Sequence, residues 1–388
     1  MILTKAPALG RGLALLLAAS LPGPVSAQGG GQITGNRLEL GGRILSLRPE
    51  ESTRLGDLRQ VLQGANRAAQ DGALAAARGV VSSPDGRYLL AVYQFELGQQ
   101  RHDDALRAPA LDVLIADRNT PRERLLGFLG LRGNIAFHSG DLATAAATWG
   151  RLLELRPDDP QTIMNLAQVR AGQQDAAGAI QLIRRAAAVS GGGLAPEIWY
   201  RQWLSIAFNG HLAAEGVAAG QALVAAYPTQ ANWRMALVAY RQLAAPQDAA
   251  EIDLLRLMRT AGALVHQDEY QRLAQLLLHA GQPAEAKAVL DEGVQRGIVN
   301  GTAAPIPAVR REIDRALQPP QGARAALPPP VLTDEAAARF RAAAALASAG
   351  RRAEAETAFR AIADAGAGGG AWYPELARFW LLWLGRAG

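Results

Sequence analysis

Apolar residues in the middle of the chain recur at helical spacing. Leu129, Gly133 and Ala136 fall at i, i+4 and i+7, as do Ala145, Trp149 and Leu152, so each trio lines one face of a helix. Gly140-Asp141 separates the two faces, and Pro157 ends the second because proline cannot continue a helix. The pattern is written again 34 residues on, with Ala167 for Gly133, Ala179 for Ala145, Ile183 for Trp149 and Ala186 for Leu152. In each copy 12 positions separate the small residue of the first helix from that of the second, which leaves room for two backbones to approach where the helices cross. Ala274 and Ala286, with Gly281-Gln282-Pro283 between them, keep the same spacing, as do Ala343 and Ala355 around Gly350. Leu290 and Phe359 follow four residues on.

A helix-turn-helix unit with a 34-residue period resembles the tetratricopeptide repeat family. That resemblance implies an all-α fold, an α-solenoid of stacked antiparallel helix pairs wound into a right-handed superhelix, and a non-enzymatic role in binding proteins or peptides. Arg132 and Arg170 depart from it, standing where the family usually has Leu and an aromatic, and Gln174 replaces the turn glycine. In the family the first helices line a concave groove, facing it one position after the small residue and then three and four further on. Carried onto this chain, the rule names Asn134, Phe137 and His138, then Gln168 with Ala171 and Gly172, then Gln275, Leu278 and His279. A looser pair adds Ser205, Phe208 and Asn209, with Arg201 one turn earlier. Amides, hydroxyls and a few aromatics suit an extended peptide, whose backbone offers donors and acceptors along its length. The family's clamp for a terminal carboxylate is incomplete, since Gly130 rather than Lys or Arg lies one turn before Asn134.

Along the chain, residues 1–27 read as a secretory signal peptide: Lys5 and Arg11, an apolar run at 13–21, the breakers Gly23 and Pro24, then Val25-Ser26-Ala27 before the cleavage point. The run is too short to span a bilayer, so the mature chain is not expected to span a membrane, and the signal, the absence of cysteine and the Arg- and Ala-rich composition together lead to an expected periplasmic location. Residues 28–56 read as a flexible lead-in containing a brief alternation at Leu38, Leu40 and 44–47. Residues 57–300 carry the repeats, with turns expected at Gly72 and at Gly98-Gln99-Gln100, a capping box at Thr120-Pro121-Arg122-Glu123 and a further start at Asp159-Pro160. Residues 301–333 form a proline-rich linker with one short helix, where a repeat has been lost or eroded, and 334–388 hold a last pair capped by Thr333-Asp334 and an aromatic helix. Its Trp372, Tyr373, Phe379, Trp380 and Trp383 are expected to seal the open end of the stack, with self-association through this helix as the second reading.

Charge and composition narrow the chemistry. The absence of cysteine excludes disulfides, thiolate metal sites and a lipid-modified N-terminus. Without Lys5 and Arg11 the 40 basic residues become 38 against 35 acidic ones, a net of +3. These charges are interspersed, with no basic stripe and interleaved aromatics, so no nucleic-acid partner is expected. None of His102, His138, His211, His266 and His279 belongs to an HExxH motif, and there is no GxSxG, SxxK or phosphate loop, Gly29-Gly30-Gly31 included. Neither catalytic residue, metal nor cofactor is expected. His102-Asp103-Asp104 reads as a turn, and Glu50-Glu51 and Asp158-Asp159 as helix caps. The expectation is a periplasmic scaffold or adaptor in cell-envelope assembly or export. The alternative is an envelope-polysaccharide or cell-wall enzyme with a site between degenerate repeats, His138 or His279 being its first candidates.

Overall fold

The computed structural model describes residues 36–40, 43–191, 194–318, 335–365 and 372–386. The expected leader at 1–27, the prolines of 319–330 and the Thr333-Asp334 cap lie outside them. The described chain is all-α apart from one hairpin, made of consecutive antiparallel helix pairs of the α-solenoid type. It divides into two compact units, residues 1–175 and 176–388. No described helix is long and apolar enough to cross a membrane.

The first unit opens with β1 (Arg37–Leu40) and β2 (Arg43–Ser46), paired antiparallel with Leu38 opposite Leu45. Both leucines are buried with Leu55 and Leu58 of α1 (Pro49–Leu62) and Leu89 of α3 (Pro84–Arg101). Arg43 bonds Asp85 at 2.7 Å and Asp117 at 3.0 Å and lies over the Tyr88 ring. The second half of the expected lead-in is therefore a docked hairpin and the start of a helix, because its alternation buries one face.

The unit continues through α2 (Arg67–Val80), α4 (Asp104–Ala116), α5 (Arg122–His138), α6 (Leu142–Leu155) and α7 (Pro160–Gly172), each helix packing on the next. Two expected turns are displaced. The first falls at 63–66, where Asn66 accepts from the Ala69 N–H, and Gly72 lies inside α2. The second falls at His102, and Gly98 sits within α3, where a Cβ would come 2.7 Å from Arg107 Cγ. That glycine serves close packing instead of a turn. The expected capping box also fails: the Thr120 hydroxyl donates to Leu114 O at 2.7 Å, answering an orphan carbonyl at the end of α4, and α5 begins after Pro121 without a side-chain cap. In the α5–α6 pair a Cβ on Gly133 would lie 2.2 Å from Trp149 Nε1, so only glycine lets the tryptophan lie across α5.

Glu51 joins α1 to α3. Its carboxylate accepts from the N–H groups of Ser82 (2.8 Å) and Ser83 (2.7 Å), from the Ser83 hydroxyl (2.7 Å) and from the Arg48 N–H (3.0 Å). Burial alone would raise its pKa, but bonds from Ser83, Arg48 and Ser82 outweigh burial and hold it at about 2 against an ordinary 4.5. Because the folded value is depressed, this stabilisation is complete above pH 4.5 and is lost as pH falls toward 2. Glu51→Gln is expected to cost about 2 kcal/mol at pH 7 and to flatten the stability profile below pH 4.5. Urea titrations across that range would check it.

Hairpin turns share one backbone device in both units. A left-handed residue follows the first helix at His102 (φ 53°), Gly140 (φ 82°), Gln174 (φ 64°), His211 (φ 53°), Ala245 (φ 43°), Gly281 (φ 72°) and Gly350 (φ 75°). In most, the next N–H reaches back five residues, as Asp141 N–H does to Ala136 O and Asp175 N–H to Arg170 O, closing the helix end. Ala245 is exposed and carries a Cβ in this disfavoured region. Ala245→Gly is therefore expected to stabilise the chain by up to about 1 kcal/mol, read as a rise in Tm.

The second unit comprises α8 (Ala176–Val189), α9 (Glu197–Asn209), α10 (Ala213–Ala226), α11 (Gln230–Ala244), α12 (Asp248–Thr260), α13 (Gln267–His279) and α14 (Pro283–Gln295), packed in succession. The short helix of the expected linker, α15 (Ile306–Leu317), buries Ile306, Val309 and Ile313 and packs on α13 and α14. It thereby takes the place of the next first helix. The chain then turns back: α16 (Glu335–Ser348) packs on α12, α17 (Arg352–Asp364) lies between α16 and α18, and α18 (Trp372–Gly385) packs on α10 and α12. The aromatic helix does not seal the end of the stack. Phe379 meets Trp233 at 6.2 Å and Tyr240 at 5.7 Å, and Trp380 stacks on Phe359 at 5.3 Å. Tyr240 Oη donates to Trp372 O at 3.1 Å, and Gln221 Nε2 to Glu375 at 3.0 Å. Phe379 is fully buried and Trp380 nearly so in this returned position.

Candidate functional site

The first helices carry the groove positions read from the sequence. In the first unit Asn134 is half-buried on α5, and its Oδ1 has no hydrogen-bond partner among the described residues. Phe137 leans on Trp149 at 5.7 Å, so part of its ring belongs to the core. His138 is exposed in the last turn of α5, its Nδ1 2.8 Å from Asn134 O and its ring edge-on to Phe137. Gln168 is half-buried on α7. Beside this face Arg132 is held by two bonds to Asp112, at 2.7 and 3.2 Å.

In the second unit Ser205 and Phe208 are half-buried on α9, and Phe208 packs against Leu204, Ala219, Leu223 and Ala239. Arg201 is engaged: it pairs with Glu197 at 2.7 Å and donates to Asn232 Oδ1 at 3.1 Å. Asn232 in turn donates to Glu197 and to Tyr227 O, both at 2.8 Å, so α9 and α11 are tied by a closed polar network. The Glu197–Arg201 pair is legible in sequence as i, i+4, whereas Asn232 is not. On α13 Gln275 is half-buried and His279 exposed in the last turn.

The histidines share one location: helix ends. His102 and His211 hold left-handed turns, His138 and His279 occupy last turns, and His266 is the N-cap residue of α13. His102-Asp103-Asp104 is a turn in which Asp103 caps α4 by accepting from the Ala105 and Leu106 N–H groups. Among the described residues no group of His, Asp and Glu side chains is arranged to hold a metal ion. What the first-helix faces offer chemically is amide donors and acceptors beside half-buried aromatic rings.

No family model matches the chain. Tetratricopeptide repeat protein 36 of Bos taurus is 42% identical over 64 residues, 16% of this chain and 34% of that protein. The Mus musculus protein matches to the same extent, and the Homo sapiens protein at 41% identity. The chain thus spans about a third of the length of these relatives. The crystal structure of BtubC (BKLC) from P. vanneervenii corresponds over 71% of this chain and 97% of its own, but at 13% identity and a TM-score of 0.21 it bears on neither fold nor function. What these likenesses add to the geometry is one stretch of tetratricopeptide-like sequence in a chain of paired helices.

Proposed function

We propose that the chain is a non-enzymatic periplasmic scaffold of the tetratricopeptide type, binding a protein or peptide partner in cell-envelope assembly or export through its first-helix faces. One observation carries the reading in the second unit. The chain's own α16 and α18 occupy the faces of the second helices α10 and α12, whereas Ser205, Phe208 and Gln275 on first helices remain partly open. In the first unit the equivalent face carries the half-buried Phe137 and Gln168 beside Asn134, whose Oδ1 is itself buried. An extended peptide offers N–H and C=O groups with which partly open amides such as Gln168 and Gln275 can pair. The 64-residue likeness to a tetratricopeptide repeat protein supports the same class.

Replacing Asn134, Gln168 and Gln275 together by Ala is expected to weaken capture of the partner about tenfold or more while leaving Tm nearly unchanged. Affinity capture from envelope extract followed by titration of the recovered partner measures this, and undiminished affinity would remove the groove from the reading. Cell fractionation tests the compartment: the processed chain is expected in the periplasmic fraction, with its N-terminus at Gln28.

A further inference from the structure

A second surface, independent of the groove, lies where the chain turns back. Within the second unit α12, α14, α16 and α18 enclose a cleft of about 830 Å³. Its wall carries three guanidinium groups, and their partners determine what they can still do.

Arg256 is fully engaged. It bonds both oxygens of Glu285, at 2.9 and 2.6 Å, with Gln282 Oε1 at 2.6 Å and Asp253 at 2.9 Å. Arg259 is held on one side only, its Nε 2.6 Å from Glu292, and among the described residues its Nη1 has no partner. Arg341 of α16 donates from Nε to Asp253 at 3.1 Å and likewise has a free Nη1 among the described residues. Asp253 is a buried carboxylate that fixes Arg256 and Arg341 together. Gln282 has its oxygen occupied by Arg256, so its N–H₂ group is the part left over.

The hydroxyls of Thr260 and Ser348 both donate to carbonyls of their own helices. The carboxylates of the wall are occupied by arginine. Among the described residues, the donors left without a partner in the cleft include the Nη1 groups of Arg259 and Arg341 and the amide of Gln282. Gln282 is also the N-cap residue of α14 and makes no side-chain cap, so the positive end of that helix opens beside it. Guanidinium groups held on one edge by carboxylates present the other edge without further ordering cost.

We propose that this cleft binds a small oxyanion, a carboxylate or phosphate group, between Arg259, Arg341 and Gln282, and that the bound anion fastens the returning α16–α18 segment to α12 and α14. The second half follows from mass action. Arg341 and Ser348 come from α16 and Trp380 from α18, while Arg259 and Gln282 come from the stack, so the site is complete only when the segment is docked.

Thermal unfolding of the full chain with inorganic phosphate, or with succinate, against sodium chloride of equal ionic strength tests the proposal. A saturable rise in Tm is expected, with a dissociation constant on the order of 1 mM or below. A response to phosphate alone identifies a phosphate ligand, and one to succinate a carboxylate. Arg341→Gln is expected to weaken the response about tenfold or more. Ser348→Trp, at an exposed position, should abolish it by filling the cleft. Arg352→Gln on α17, whose side chain pairs with Glu356, should leave it unchanged. If Arg341→Gln does not fold, Ser348→Trp decides alone. No saturable response beyond that of chloride, or an undiminished one in Ser348→Trp, would overturn the proposal. The groove variants at Asn134, Gln168 and Gln275 are expected to respond like the parent, so the two readings fail separately.

Discussion

Trp233→Ala is expected to destabilise the second unit by about 3–5 kcal/mol, the range for removing a fully buried large aromatic. Trp233 is 0% exposed on α11 and meets two rings of the returning helix, Phe379 at 6.2 Å and Trp383 edge-on at 5.6 Å. Arg386 lies over its ring at 5.9 Å. Its Nε1 is buried without a partner among the described residues, so the side chain contributes through apolar contact and no hydrogen bond is lost with it. The cavity would open between α11 and α18. The loss should therefore appear both in urea denaturation and as faster amide exchange in α18, with α5 and α6 of the other unit little changed. A loss below about 1 kcal/mol would mean that α18 does not rest on this ring.

Asp253→Ala should have a comparable effect for an electrostatic reason. The carboxylate is 2% exposed and pairs with Arg256 at 2.9 Å and Arg341 at 3.1 Å, while the Tyr373 hydroxyl stands 3.4 Å away. Its removal leaves the partly buried Arg341 without its counter-charge and Arg256 with Glu285 alone, and deleting one member of a buried pair costs about 3–5 kcal/mol. Adding Arg341→Ala should restore part of this, with a coupling of about 1–3 kcal/mol between the two positions in a double-mutant cycle. Strict additivity would mean that the pair does not link α12 to α16. The two variants probe the docking of the returning segment at different helices, one through rings between α11 and α18 and the other through charges between α12 and α16.

Legibility in sequence followed the range of the interaction. Small residues 12 apart mark real hairpins because they record packing between adjacent helices, and Ala145, Ala274, Ala286, Ala343 and Ala355 are all buried. Glycine marked the turns at Gly140, Gly281 and Gly350 but not those expected at Gly72 and Gly98. Gly98 and Gly133 are required by close neighbours, while left-handed turn positions are filled by His102, Gln174, His211 and Ala245, for which composition carries no signal. Local hydrogen bonds hold those backbones in place, so the residue type is free to vary. Of the candidate surface, the register positions of Asn134, Phe137, Gln168, Ser205, Phe208 and Gln275 could be counted along the repeat. That Arg201 is tied to Asn232, 31 residues away, could not.

The 34-residue grammar therefore determined by itself that this chain forms paired helices and where most pairs lie, because each helix face is matched to its immediate neighbour. Tertiary structure alone decided that α15 ends the stack of the second unit, that α18 returns to rings on α10 to α12, and that Arg259 and Arg341 share a cleft. The physical reason is that an apolar face or an arginine specifies the kind of surface it needs without specifying which distant segment supplies it, and that choice belongs to the best burial available once the helices have packed.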